Sequence, residues 1–356
     1  MKKRLSIIIF VVCILSGCTN KTAPSVEVQN DLLINQGITI EATNLQIPWS
    51  INKLGAVFYI SEREGTIAKI ENGEVTRQEV HLVKPLSNAA EAGLLGFVLA
   101  PDFETSQVGY AYYTYNNNNN PTNRIVSLYY DGEDWTEQEI IIDSIPSGVV
   151  HHGGRLKFGP DGYLYATTGD ASVRELAQDE KSLAGKILRL NIDGTIPVNN
   201  PLPSSYIYSL GHRNPQGLAW GTDGTFYATE HGNSAHDEIN IIEAGSNYGW
   251  PLIQGTEERT GLVMPLFTSG SSMTWAPSGV AFYNNKLYVA ALRGTAVLEF
   301  DLQKSIVKEL VTDLGRIRDI WIEGDTLYFI SNNTDGRGSP RDNDDHLYSI
   351  RLGNHN

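Results

Sequence analysis

The chain has 356 residues, with 27 Lys and Arg against 41 Asp and Glu, and so a formal net charge of −14. So acidic a body repels phosphate backbones and anionic lipid surfaces, which argues against nucleic acid as a partner and makes any arginine cluster a candidate local anion site. With 34 Gly and 17 Tyr, and few apolar runs at helical spacing, the composition indicates an all-β chain rather than a helical one.

At the N-terminus Lys2, Lys3 and Arg4 precede an apolar run over residues 5–14, and Leu15-Ser16-Gly17-Cys18 sets small residues before a cysteine. The pattern resembles a bacterial lipoprotein signal peptide with its lipobox; an ordinary signal peptide or a short anchor is the alternative. The run is shorter than the roughly 20 residues a permanent membrane-spanning helix needs. On this reading residues 1–17 are removed, Cys18 is lipidated, and Cys13 departs, so no thiol remains for a disulfide. Losing three basic residues takes the charge from −14 to about −17. Residues 18–38 then form a polar tether, residues 39–356 one folded domain, and the expected location is the outer face of the bacterial cell membrane.

A turn-plus-strand unit recurs along the body: NKLGAVFYISEREG (52–65), APDFETSQVGYAYYTY (100–115), FGPDGYLYATTGD (158–170), WGTDGTFYATEHG (220–232), FYNNKLYVAALRG (282–294) and IEGDTLYFISNN (322–333). Each joins a turn rich in Gly, Asp or Asn to alternating apolar and aromatic residues suited to a half-buried strand. The strand centres Tyr59, Tyr112, Tyr165, Tyr227, Tyr288 and Tyr328 lie roughly 40 to 60 residues apart, the period of four-stranded propeller blades with insertions. The expected fold is therefore a six-bladed β-propeller. A β-sandwich, the competing fold, shows turn signals roughly every 8–12 residues without the longer period. Residues 175–184 are expected to form a short helix inserted between strands, and the asparagine run 116–120 an exposed loop tip.

Several segments carry chemistry. His151-His152-Gly153-Gly154-Arg155 offers an imidazole able to accept a proton near neutral pH beside glycines that allow close approach; a loop-holding or metal-binding histidine is equally open. Arginines stand in Gly211-His212-Arg213-Asn214-Pro215-Gln216-Gly217, in Ala291-Leu292-Arg293-Gly294 and in Gly315-Arg316-Ile317-Arg318-Asp319. In the last, period-two spacing sets Arg316 and Arg318 on one side of an extended segment, fit to grip a polyanion, although pairing with nearby acids is the plainer alternative. Residues 230–240, EHGNSAHDEIN, and 245–251, GSNYGWP, bring together the carboxylates, amides and carbonyls that Ca²⁺ prefers, or else a hydrogen-bonded turn network.

Together with GLLGFVLAPDF (93–103) ahead and TWAPSGVAFY (274–283) behind, these segments resemble the soluble quinoprotein glucose dehydrogenases, and more closely their aldose sugar dehydrogenase branch, which uses pyrroloquinoline quinone (PQQ). The resemblance spans roughly residues 40–350. Its most specific parts are HxGGRLxFGPDGxLY, GHRNPQG, and DEIN with NYGWP ten residues on.

The resemblance implies that His151 is the general base taking the substrate's hydroxyl proton, and that Arg213, Asn214, Arg316 and Arg318 contact the quinone. Arg293 stands where the family often has lysine near the cofactor, and Glu91 where glutamine commonly contacts it. The main-chain carbonyls of Gly232 and Asn233 would hold the Ca²⁺ that polarises the quinone. Glu238 by side chain and Tyr248 by its carbonyl would hold a second, structural Ca²⁺. Glu91 brings negative charge towards an anionic cofactor, Asn233 replaces a frequent proline, and His231 is an unusual neighbour. The implied activity is oxidation of an aldose sugar to its lactone by hydride transfer to PQQ, with an external electron acceptor, since no haem-binding CxxCH motif is present. The alternatives are a non-catalytic surface propeller binding a glycan, a protein or PQQ, and a metal-dependent lactonase.

Overall fold

The computed structural model describes residues 37–353. The expected signal segment, the lipidation site Cys18 and nearly all of the tether lie outside the described residues.

Strand β1 (Thr39–Ala42) is followed by β2 (Pro48–Leu54), β3 (Val57–Glu62), β4 (Thr66–Glu71) and β5 (Glu74–His81). Then come β6 (Leu94–Leu99), β7 (Val108–Asn117), β8 (Asn120–Tyr130) and β9 (Trp135–Pro146). The third group is β10 (Leu156–Phe158), β11 (Leu164–Thr168), β12 (Lys186–Leu190) and β13 (Ile207–Leu210). The fourth is β14 (Pro215–Trp220), β15 (Phe226–Glu230), β16 (Glu238–Ile241) and β17 (Phe267–Thr268). The fifth is β18 (Pro277–Tyr283), β19 (Lys286–Ala291), β20 (Ala296–Asp301) and β21 (Ile306–Val311), and β22 (Ile317–Glu323), β23 (Thr326–Ser331) and β24 (Leu347–Arg351) complete the chain.

The third, fourth and fifth groups each form an antiparallel four-stranded sheet, while the first two are joined into one eight-stranded sheet. The join is slight: β5 and β9 run parallel and pair only at Val80 with Trp135 and His81 with Thr136. The last sheet is completed from the other end of the chain, where β1 pairs with β24, Thr39 opposite Ser349. That pairing gives the closing sheet its fourth strand and covers an edge.

The first strands of successive sheets pack in a cycle: β22 on β2, β2 on β6, β6 on β10, β14 on β18 and β18 on β22, with β11 of the third sheet meeting β14. Side-chain-free backbone makes this approach possible. A Cβ on Gly217 would lie 2.3 Å from the Ser278 carbonyl oxygen, and one on Gly279 would lie 1.8 Å from Asp319 Oδ1.

All six tyrosines of the repeat fall on the second strand of their four-stranded units, and several pack their rings on the unit that follows. Tyr59 meets Trp135 edge-on at 6.1 Å, Tyr165 meets Trp220 at 5.2 Å, Tyr227 stacks on Phe282 at 6.2 Å, and Tyr328 returns to Phe58 at 4.9 Å. Such aromatic pairs fill the space between twisted sheets and add roughly 0.5–1.5 kcal/mol each beyond their buried area.

The asparagine run 116–120 is exposed at the β7–β8 turn, as expected. The expected helix over 175–184 is instead a five-residue 3-10 helix, Arg174–Gln178. Buried Lys186 secures this segment: its ammonium donates to the carbonyls of Leu176, Ala177 and Ala184 at 2.8, 3.0 and 2.7 Å, and the Ala177 carbonyl also accepts the Gly211 N–H at 3.0 Å.

Candidate functional site

A cavity of about 270 Å³ opens where loops from several sheets meet. Its lining includes five arginines, Arg63, Arg293, Arg316, Arg318 and Arg337, against two carboxylates, Glu91 and Asp335. Five of the six residues expected to contact a cofactor line it: Glu91, Asn214, Arg293, Arg316 and Arg318. The sixth, Arg213, does not.

The arginines are held differently. Arg316 forks onto Asp335, with Nη2 at 2.7 Å and Nε at 3.0 Å from Oδ2. Arg337 pairs with Glu91. Among the described residues Arg318 has only weak neutral partners, Gln216 Oε1 at 3.3 Å and Asn332 Oδ1 at 3.4 Å, and its Nε is buried without a partner. Burial, and then the nearby charge of Arg316, push its guanidinium down to about 9. A buried guanidinium without a counter-ion is costly, and an anion in the cavity would relieve that cost.

Glu91 does not leave a bare negative charge facing this cavity. Burial opposes its ionisation, but the Arg337 guanidinium and the His151 backbone N–H overcome that and hold its carboxyl down to about 2. The residue departs from the family pattern, yet its charge is neutralised locally.

His151 stands beside the cavity rather than among its lining residues, of which its neighbours His152 and Gly153 are two. Its Nδ1–H donates to Asp170 Oδ1 at 2.7 Å, and Asp170 Oδ2 accepts the indole N–H of Trp250 at 2.9 Å. With Nδ1 so committed, Nε2 is the nitrogen left to accept a proton, and the side chain keeps 18% of its exposure. His152 has a different environment. Its Nε2–H donates to the Ala90 carbonyl at 2.8 Å and its Nδ1 accepts from the Ser147 hydroxyl at 2.6 Å, while burial pushes its pKa down. It is a neutral structural histidine.

A smaller recess gathers Arg213 with all four residues expected at metal sites: Gly232, Asn233, Glu238 and Tyr248. Arg213 lies over the Trp250 ring at 5.5 Å and donates to the His231 carbonyl at 3.2 Å. Glu238 faces Glu230 in the β15–β16 register, and burial followed by that neighbouring charge push its carboxyl up to about 8. Among the described residues its oxygens accept only from Asn240 Nδ2 at 3.2 Å and the Gly255 N–H at 3.1 Å. Such a carboxylate fits a cation partner. Asp237 holds the adjoining loop, accepting from the Gly232 N–H at 2.9 Å and from the backbone of Trp275 and Ala276. Among the described residues, no three His, Cys, Asp or Glu side chains form a metal-binding group. The expected Ca²⁺ ligands are largely main-chain oxygens.

Three residues at the site were missed in the sequence. Arg63 sits near the end of the quoted NKLGAVFYISEREG unit, whose turn-and-strand pattern gives no reason to single it out, and Arg337 lies in a last-sheet loop outside the quoted segments. Asp170 ends the quoted FGPDGYLYATTGD unit, where its distance of nineteen residues from His151 hides their contact.

A family model described as Glucose / Sorbosone dehydrogenase matches residues 45–340. Aldose sugar dehydrogenase YliI of Escherichia coli is 32% identical over 343 residues, covering 83% of this chain and 91% of that one. Quinoprotein glucose dehydrogenase B of Acinetobacter calcoaceticus is 33% identical over 247 residues, 60% of this chain and 52% of that one. Among solved structures, the PQQ-bound form of aldose sugar dehydrogenase from Streptomyces coelicolor matches with a TM-score of 0.80 at 36% identity, covering 88% of this chain and 97% of that one. On the extent of the family match and of these relatives, the chain belongs to the glucose/sorbosone dehydrogenase family.

Proposed function

We propose that the chain is a PQQ- and Ca²⁺-dependent dehydrogenase that oxidises aldose sugars to lactones at the cell surface, on a six-bladed β-propeller. The observation that carries the reading is Arg318, a buried cation without a carboxylate partner, in a five-arginine cavity beside the His151–Asp170 pair. That arrangement suits an anionic cofactor adjacent to a proton acceptor.

The six-blade count rests on the slight β5–β9 join, which leaves β2–β5 and β6–β9 as two four-stranded units, and on β1 completing the last one. PQQ would be held by Arg316, Arg318 and Arg293 through its carboxylates, with Asn214 as a polar contact. When bound, the quinone supplies the acceptor for a hydride from the substrate carbon. The protein supplies the rest. His151 Nε2 takes the hydroxyl proton, and Asp170 holds the imidazole in the tautomer that can do so and stabilises the charged ring that results. The arginines offset negative charge that develops beside them.

Gly232 and Asn233 carbonyls would hold one Ca²⁺, and Glu238 with the Tyr248 carbonyl a second, which fits the raised Glu238 carboxyl. Arg213, in the recess with these residues, is better placed to order the loop through the His231 carbonyl than to grip the cofactor. Lipidation at Cys18 would anchor the enzyme, and an external acceptor would remove its electrons. The main support for a non-catalytic binding propeller, a repelling charge at Glu91, is weakened by Arg337. Lactonase chemistry would favour several carboxylates converging on one metal, whereas this cavity gathers guanidinium groups.

The test is calorimetric PQQ binding together with dye reduction over a panel of aldoses, with and without chelator. Binding with chelator-sensitive turnover is expected. Absence of PQQ binding in the presence of Ca²⁺ would overturn the cofactor assignment.

A further inference from the structure

A second, much smaller chamber of about 40 Å³ lies in the central channel, lined by residues from all six first strands: β2, β6, β10, β14, β18 and β22. It exceeds the roughly 10–15 Å³ that one water requires, and is far too small for a quinone or a sugar. Arg155 connects it to the cavity above. Its guanidinium stacks over Trp49 at 4.3 Å and its Nε donates to the Gln216 carbonyl at 2.9 Å, and both of those residues line the larger cavity.

The chamber's polar lining is unbalanced. Arg155 and Lys157 contribute two cations, and Asp319 is the one carboxylate among the lining residues. Asp319 Oδ2 is already engaged, by Arg155 Nη1 at 2.9 Å and by the Ile51 N–H at 2.8 Å. Among the described residues Arg155, 5% exposed, has its Nη2 buried with no acceptor, and the indole Nε1 of Trp321 is likewise buried without one. Among the described residues the Lys157 ammonium has no hydrogen bond or salt bridge. Burial and the Arg155 charge push it down to about 8 despite the attraction of Asp319.

Three classes of donor and one surplus positive charge, facing a space of one or two small molecules, call for an acceptor that carries negative charge. A water would accept hydrogen bonds but leave the charge uncompensated. We propose that the channel chamber is a binding site for a small monovalent anion of chloride size, held by Arg155, Lys157 and Trp321. The site is separate from the cofactor cavity and does not depend on PQQ being bound.

Crystals of the cofactor-free protein grown in bromide test this by anomalous scattering. A bromide peak in the chamber among Arg155, Lys157 and Trp321 is expected, and its loss in Lys157→Met. Water density with no anomalous signal in the wild type overturns the proposal, as does an undiminished peak in the variant. Should the variant not fold, thermal unfolding of the wild type decides: Tm rises when chloride replaces methanesulfonate at constant ionic strength, and an identical Tm in the two salts overturns the proposal.

Discussion

Asp170 holds His151 by a 2.7 Å hydrogen bond to Nδ1 and is itself fixed by the Trp250 indole at 2.9 Å, so an imidazole on a loop is oriented by two elements of the scaffold. The proposed base therefore depends on a residue that never needs to touch substrate. Asp170→Asn removes the charge and permits the wrong tautomer. It should lower kcat by roughly 10²–10⁴-fold, with PQQ affinity and the far-ultraviolet spectrum unchanged. Steady-state kinetics beside calorimetry check this, and an equal loss of cofactor binding would point to a structural role instead.

Two neighbouring arginines should respond in opposite ways. Arg316 is forked onto Asp335, so Arg316→Met strands a buried carboxylate and should destabilise the cofactor-free protein by about 3 kcal/mol. Arg318 has no such partner, so Arg318→Met should leave the stability of that protein unchanged or raise it, while costing about 1.5–3 kcal/mol in PQQ binding. Denaturant titrations and calorimetry on both variants measure the contrast.

The Glu91–Arg337 pair has an acid limb. Because the folded-state carboxyl lies below its ordinary value, its contribution is fully present above roughly pH 4.3 and is lost as pH falls towards about 2. Both side chains are partly exposed, so the contribution is no more than ~1 kcal/mol. Glu91→Gln should flatten the stability profile across that window. By freeing the Arg337 guanidinium from its carboxylate it should also tighten PQQ binding by about 1 kcal/mol, roughly fivefold in Kd.

Calcium should stabilise the protein through Glu238. At a hundredfold excess over its Kd the ion adds about 2.7 kcal/mol, so a chelator should lower Tm, and Glu238→Gln should have a reduced response to either addition. Thermal unfolding with and without Ca²⁺ reads this directly, and a wild-type Tm indifferent to both would remove the recess as a metal site.

Much of the fold was legible because one tyrosine per repeat marks the second strand of each four-stranded unit and packs towards the next. The closing strand was not: TIEA is short and carries nothing that announces a partner some three hundred residues away. At the site, Glu91, Asn214, Arg293, Arg316 and Arg318 were legible because they sit in motifs. Arg213 was placed with them, but the chain bends at Arg213 just before β14, and Asn214 takes the cavity while Arg213 takes the recess. Arg63 and Arg337 were invisible because only ring closure brings the first and last sheets together around one cavity.

In the proposed reaction His151 removes a proton as PQQ accepts a hydride from an aldose. Stopped-flow absorbance of the PQQ-loaded protein mixed with an aldose panel tests it in a single turnover. Rapid reduction of the bound quinone is expected in the wild type, and in His151→Ala the same cofactor occupancy with reduction slowed by at least roughly 10²-fold. Bound quinone that no aldose reduces, or reduction at an unchanged rate in His151→Ala, would contradict it.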